Sequence, residues 1–139
     1  MTAPRWIVIG YDGSSAARAA ITYAVRTFRG RRLMLVHAVG LGESEAAAES
    51  VLDDVLLEGN DELADARWDA RAVHGNAAEG ILRIADELDA EAIVLGTRGR
   101  GSVTSLLGSV SHRVVQFADR PVMVVSPAAA ARLADRVAP

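Results

Sequence analysis

Short runs of almost uninterrupted apolar residues, separated by amphipathic stretches, limit how this chain can fold. Trp6-Ile-Val-Ile-Gly10, Arg32-Leu-Met-Leu-Val-His-Ala-Val39, Ala92-Ile-Val-Leu-Gly96 and Pro121-Val-Met-Val-Val-Ser126 are apolar at successive rather than alternate positions. Strands of that kind are buried on both faces. The stretches between them carry the helical period. Ala17, Ala20, Ile21, Ala24, Val25 and Phe28 share one face after the turn and cap Asp12-Gly13-Ser14-Ser15, and Gly30 stops that helix. After a loop at Gly40 to Gly42, an acidic, alanine-rich helix is predicted over about residues 43–64, with Val51, Leu52, Val55, Leu56 and Leu63 as its seam. Gly59 inside it costs about 1 kcal/mol against alanine and marks a break. Asn76 caps a third helix that turns Ile81, Leu82, Ile84, Ala85 and Leu88 inward, and a fourth runs over residues 109–117. Residues 68–74 alternate through Asp69 and Arg71, the pattern of an edge strand with one solvated side. Strands and helices in strict alternation predict a single α/β domain, an open parallel five-stranded sheet with helices on both faces.

Composition removes several classes of function. At 139 residues, half of them apolar, the chain can bury one ordinary core. It has no cysteine, hence no disulfide framework and no thiolate nucleophile or metal site. All 15 basic residues are arginine. Without lysine there is no Walker-type phosphate loop and no Schiff-base chemistry. The net charge is −3, and the one basic cluster, Arg26, Arg29, Arg31 and Arg32, closes the first helix, where cations complement the helix dipole. Neither a nucleic-acid partner nor a membrane is expected, and the absence of a leader pattern or a long apolar run points to a soluble cytoplasmic protein.

The chemistry concentrates in one segment, Gly96-Thr-Arg-Gly-Arg-Gly-Ser-Val-Thr-Ser-Leu-Leu-Gly-Ser-Val-Ser-His112. A strand ends at Gly96, a glycine-rich loop follows, and a helix starts at Ser109. Glycine lets backbone approach a ligand, and a helix N-terminus presents free amides and positive potential to an anion. Ser102, Ser105, Ser109 and Ser111 add hydroxyls, and Arg98 and Arg100 add cations that either fold over phosphates or keep the loop soluble. Ser109 also reads as an ordinary N-cap. His37, His74 and His112 do not have metal-ligand spacing, and His37 reads as a satisfied core or rim residue. No acid–base pair or activated nucleophile is evident.

These motifs resemble those of the universal stress protein family. The likeness rests on Gly96-Thr-Arg-Gly99, Gly108-Ser-Val-Ser111, the following stretch to Val125 and the N-terminal Ile7-Val-Ile-Gly-Tyr-Asp-Gly-Ser14, and it spans about residues 5–126. ATP-binding members of that family have about nine residues between the second and third glycines; this chain has eight, residues 100–107. The family's Gly-x-Pro before the third helix is Gly75-Asn76-Ala77 here. The resemblance implies strand order 3-2-1-4-5, which brings the loops after Gly10 and Gly96 together at the switch point, where ligands of such sheets bind. It implies ATP, with Mg or Mn, as the ligand. Gly10 would then leave the strand end open beneath the base, and Asp12 would contact the nucleoside, cap the first helix, or do both. Ala38 and Val39 would wall the adenine or simply pack in the core. Gly96 and Gly99 would admit ribose and α-phosphate, and Gly108, Ser109 and Ser111 the outer phosphates.

The function so implied is binding of ATP as a regulatory ligand in a stress response, with slow or no hydrolysis. The shortened loop favours a nucleotide-independent interaction module of the same fold, and AMP or cyclic AMP are alternative ligands. The His-x-Gly-His and Ser-Gly-Gly-x-Asp-Ser motifs of related adenine-nucleotide α-hydrolase enzymes are missing. An unguarded apolar strand at residues 121–126 predicts a homodimer, besides a protein partner that the sequence does not identify. Residues 127–139 read as a frayed alanine-rich tail after a domain over residues 1–126.

Overall fold

The computed structural model describes residues 5–40, 66–97 and 107–137, together with positions 43, 44, 46, 47, 49, 50, 53 and 63. Strands β1 (Trp6–Gly10), β2 (Arg32–Val39), β3 (Arg67–His74), β4 (Ala92–Gly96) and β5 (Val122–Val125) form one sheet in the order β3-β2-β1-β4-β5. Every pairing is parallel, with Gly10 beside Val36 and Gly96 beside Val125. Central β1 shows why continuous apolar runs were needed: Ile7, Val8 and Ile9 are each 0% exposed. Strand alternation sends Ile7 and Ile9 to one face and Val8 to the other. β3 is the predicted edge strand, begins one residue earlier at Arg67, and pairs with β2 alone.

Helices α1 (Ser15–Thr27) and α4 (Pro127–Val137) cover the Ile7 face, where Ile21, Ala24 and Leu133 join the core. Helices α2 (Ala77–Glu87) and α3 (Ser109–Phe117) cover the Val8 face with Ile81, Ile84 and Val114. Ser14 caps α1, its hydroxyl accepting from Ala17 N at 3.1 Å, and Gly30 turns the chain away at φ +81°. Asn76 Oδ1 caps α2, accepting from Glu79 N at 3.0 Å. Of the helix predicted over residues 43–64, positions 46, 47, 49, 50, 53 and 63 are helical, and Leu63 is buried against the α1 face. Val51, Leu52, Val55, Leu56 and Gly59 lie outside the described residues.

Two expectations change. The segment read as a frayed tail is helical from Pro127 to Val137. Ser126 Oγ accepts from Ala129 N at 3.0 Å, Pro127 occupies the first helical turn, and the Tyr23 hydroxyl donates to Ala129 O at 3.1 Å. Leu133, 7% exposed, anchors this helix in the α1 core. The N-cap of α3 is Gly108, not Ser109, which is the first helical residue.

Candidate functional site

At the strand C-termini, β1 leads into α1 on one face while β4 leads towards α3 on the other. The crevice of a switch point therefore opens between Gly10 and Gly96. Both glycines are demanded by packing. A Cβ on Gly10 would lie 2.5 Å from Leu95 Cδ2 and 3.0 Å from Ile81 Cδ1. One on Gly96 would lie 2.7 Å from Ala16 Cβ, in the first turn of α1. A side chain in place of either glycine would thus meet the protein's own atoms. The glycines act by drawing α1 and α2 tightly over the strand ends.

Past Gly10 the chain is held by local hydrogen bonds. Tyr11 N donates to Val36 O at 2.9 Å, extending the β1–β2 pairing by a residue. Asp12 Oδ1 accepts from Ser14 N at 2.9 Å, so Asp12 shapes the turn and leaves the cap of α1 to Ser14. Across from it, His37 Nδ1 lies 3.0 Å from Tyr11 O, which as a carbonyl only accepts, so Nδ1 carries the hydrogen. His37 Nε2 meets Glu43 Oε1 at 3.1 Å, and Glu43 Oε2 accepts from Gly40 N at 2.8 Å. This chain of contacts ties the turn after β2 to the turn after β1. It fixes Val39, which is buried, and Ala38, which is half-buried. His37 is the satisfied rim residue its position suggested. Glu43 went unread, because its only sequence signal is a carboxylate six residues past a strand-end histidine.

The glycine-rich loop leaves and returns at one point. Thr97 N donates to Val125 O at 2.9 Å, continuing the β4–β5 ladder, and Thr97 O accepts from Gly108 N. Ser111, 3% exposed, directs its hydroxyl to Thr97 O at 2.8 Å and to Gly108 O at 3.1 Å. A hydroxyl has one proton to share between these acceptors. Ser111 therefore closes the base of the loop. Gly108 has no side chain to cap the amides that follow it, unlike Ser14, Asn76 and Ser126 at the N-termini of α1, α2 and α4, and Ser109 is exposed there. Arg98, Gly99 and Arg100, with Ser102 and Ser105, lie outside the described residues.

Thr97 was not singled out in the sequence. Its Oγ1 is buried without a hydrogen-bond partner among the described residues. Among the described residues no group of three or more His, Cys, Asp or Glu side chains is placed to hold a metal, and no helix is long and apolar enough to cross a membrane.

A family model, described as the universal stress protein family, matches residues 5–126. The chain is 40% identical over 132 residues to a universal stress protein of Thermus aquaticus encoded in the 3' region of the QAH/OAS sulfhydrylase, covering 86% of this chain and 96% of that protein. Its fold superposes on the universal stress protein UspA from Lactobacillus plantarum with a TM-score of 0.73 at 23% identity, covering 88% of this chain and 99% of the other. A universal stress protein solved in complex with cAMP superposes with a TM-score of 0.66 at 25% identity, covering 90% and 98%. The sheet order, the two terminal motifs and these matches agree: the chain belongs to the universal stress protein family.

Proposed function

We propose that this protein binds an adenine nucleotide, ATP with Mg or Mn, as a regulatory ligand at the C-terminal end of the sheet. The carrying observation is the uncapped N-terminus of α3, pinned through Gly108 to Thr97 directly across the switch point from Asp12. Helix amides without a side-chain acceptor favour a phosphate. Asp12 supplies a carboxylate for the nucleoside, and Ala38 and Val39 an apolar wall for the base. Gly96, Gly108 and Ser109 border the phosphates; Gly99, Arg98 and Arg100 would close over them. The cAMP complex of a relative supports the nucleotide class. Binding selects the state in which the glycine loop is ordered and so changes the surface offered to a cytoplasmic protein partner. Hydrolysis is slow or absent in this reading, which rests on a sequence without an evident acid–base pair or activated nucleophile.

The test is the melting temperature with ATP, AMP or cyclic AMP, each with Mg or Mn. A ligand at 100 times its Kd adds about 2.7 kcal/mol to native stability. A shift ranks the nucleotides; an unmoved curve with all of them supports the nucleotide-independent module that the shortened loop favours. We also propose a homodimer through β5, the edge strand beside β4. Val124 is half-buried there whereas Val125 belongs to the core, so Val124→Lys is the variant to use. Light scattering should show a dimer that this change dissociates, and a monomeric unmodified protein at tens of micromolar would defeat the proposal.

A further inference from the structure

We propose that Thr97 is a phosphate-contacting and specificity residue of the nucleotide site, its hydroxyl held in reserve for the ligand; the inference rests on the functional reading above. Thr97 is 7% exposed, and its Oγ1 is the buried side-chain polar atom without a partner among the described residues. A buried hydroxyl left unpaired is unfavourable, so one that persists at a crevice calls for an acceptor supplied from outside. Thr97 also stands at the base of the α3 N-terminus, because its carbonyl receives both the Gly108 amide and the Ser111 hydroxyl. The ladder bond from Thr97 N to Val125 O keeps the strand alternation running past Gly96. That alternation returns the Thr97 side chain from the α1 side, occupied at Gly96 by Ala16, to the side of Leu95, where α2 and α3 pack. An uncapped helix N-terminus and an orphaned donor therefore converge on one place. Among the described residues the carbonyl at this point, Thr97 O, is already taken twice. An ionised phosphate only accepts, and it would satisfy the helix amides and the Thr97 hydroxyl together.

The test uses the full chain as wild type, Thr97→Val and Thr97→Ser. Melting temperatures are measured without ligand, and calorimetric titrations are made with ATP–Mg and with adenosine. Thr97→Val should weaken ATP about tenfold, Thr97→Ser should stay within about twofold of wild type, and adenosine should not distinguish the three proteins. Without ligand, Thr97→Val should melt at the wild-type temperature or above it, because it deletes an unpaired buried group. A lower melting temperature would show that the hydroxyl already has an internal partner and would overturn the inference. Equal ATP affinity for wild type and Thr97→Val would overturn it too, leaving the nucleotide site itself standing. A wild type that takes up neither ligand would instead remove the functional reading, and this inference with it.

Discussion

The two ends of the sheet are built on opposite principles. At the N-terminal end of the strands, arginines are spent on the fold. Arg120, with a side chain 12% exposed, donates through Nη1 to Ala85 O at 2.7 Å and Ala90 O at 2.9 Å. Its other nitrogens reach Asp86 at 2.8 Å and Asp119 at 3.1 Å, so one guanidinium joins the end of α2, the entry to β4 and the entry to β5. Arg31 forks onto Glu91 at 2.9 Å and 3.3 Å, and Arg32 lies 4.9 Å over the Trp6 ring. At the C-terminal end the described residues near the crevice include glycines, small hydroxyls, one aspartate and the His37–Glu43 pair, with a helix N-terminus uncapped and a threonine hydroxyl without a partner among the described residues. Parallel strands explain the asymmetry. All five strands end at one pole, where their helices begin, and amides directed at that pole serve a ligand better than a salt bridge would. Arginine contacts gather at one end of the molecule and the proposed binding site lies at the other.

That division can be broken first at its strongest point. Arg120→Ala strips the donors from two backbone carbonyls and should destabilise the fold by about 3 kcal/mol, read from urea unfolding. Its exposed aspartate partners contribute little to that figure. Nucleotide affinity of the folded variant should be unchanged; a parallel loss of binding would mean that the two ends are not independent. Gly108→Val reverses the test. The φ of −66° and ψ of 165° at Gly108 accept a β-branched residue, so the fold should survive while the side chain fills the phosphate space. Affinity for ATP should fall by about a hundredfold or more by calorimetry, equivalent to about 2.7 kcal/mol. An unaltered isotherm would move the ligand elsewhere.

Asp12→Ala should weaken binding about tenfold, through lost nucleoside hydrogen bonds to a charged acceptor. It also removes the contact to Ser14 N, so a small loss of melting temperature accompanies it. The smallest effect belongs to Glu91, whose carboxyl is held below the usual carboxylate range by the hydrogen bond from Arg31. A depressed carboxylate pKa contributes stability above its unfolded value, about 4.3, and that contribution fades as pH falls through the lower folded value. The melting temperatures of wild type and Glu91→Gln should therefore differ slightly at neutral pH and converge in acid. A gap that widens in acid would contradict the assignment.

What the sequence disclosed follows the range of the interactions involved. β1, β2 and β4 occupy the spans that their apolar runs marked, because burial on both faces leaves a local, continuous signature. The start of α3 was legible from the glycine–serine boundary. Strand order came from family resemblance, since no spacing encodes it. Helix α4 was missed although Ser126-Pro127 is a plain start signal: alanine supplies helical propensity but no apolar seam, and the helix depends on Leu133 joining the α1 core and on Tyr23 reaching Ala129 O. Gly10 and Gly96 were legible as special positions, but their close approach to Leu95, Ile81 and Ala16 was not, because a sequence does not say which neighbours a missing side chain admits. The Ser111 hydroxyl meets the Thr97 carbonyl across a loop, and hydroxyl–backbone contacts of that kind have no periodicity to betray them.

The most direct measurement is an amide NMR titration of the wild-type protein with ATP–Mg. Saturable shifts confined to Asp12, Ala38, Gly96, Thr97, Gly108 and Ser109, with Arg31, Glu91 and Arg120 unmoved, are the expected result. Shifts centred on the arginine end, or none at millimolar nucleotide, would contradict the account.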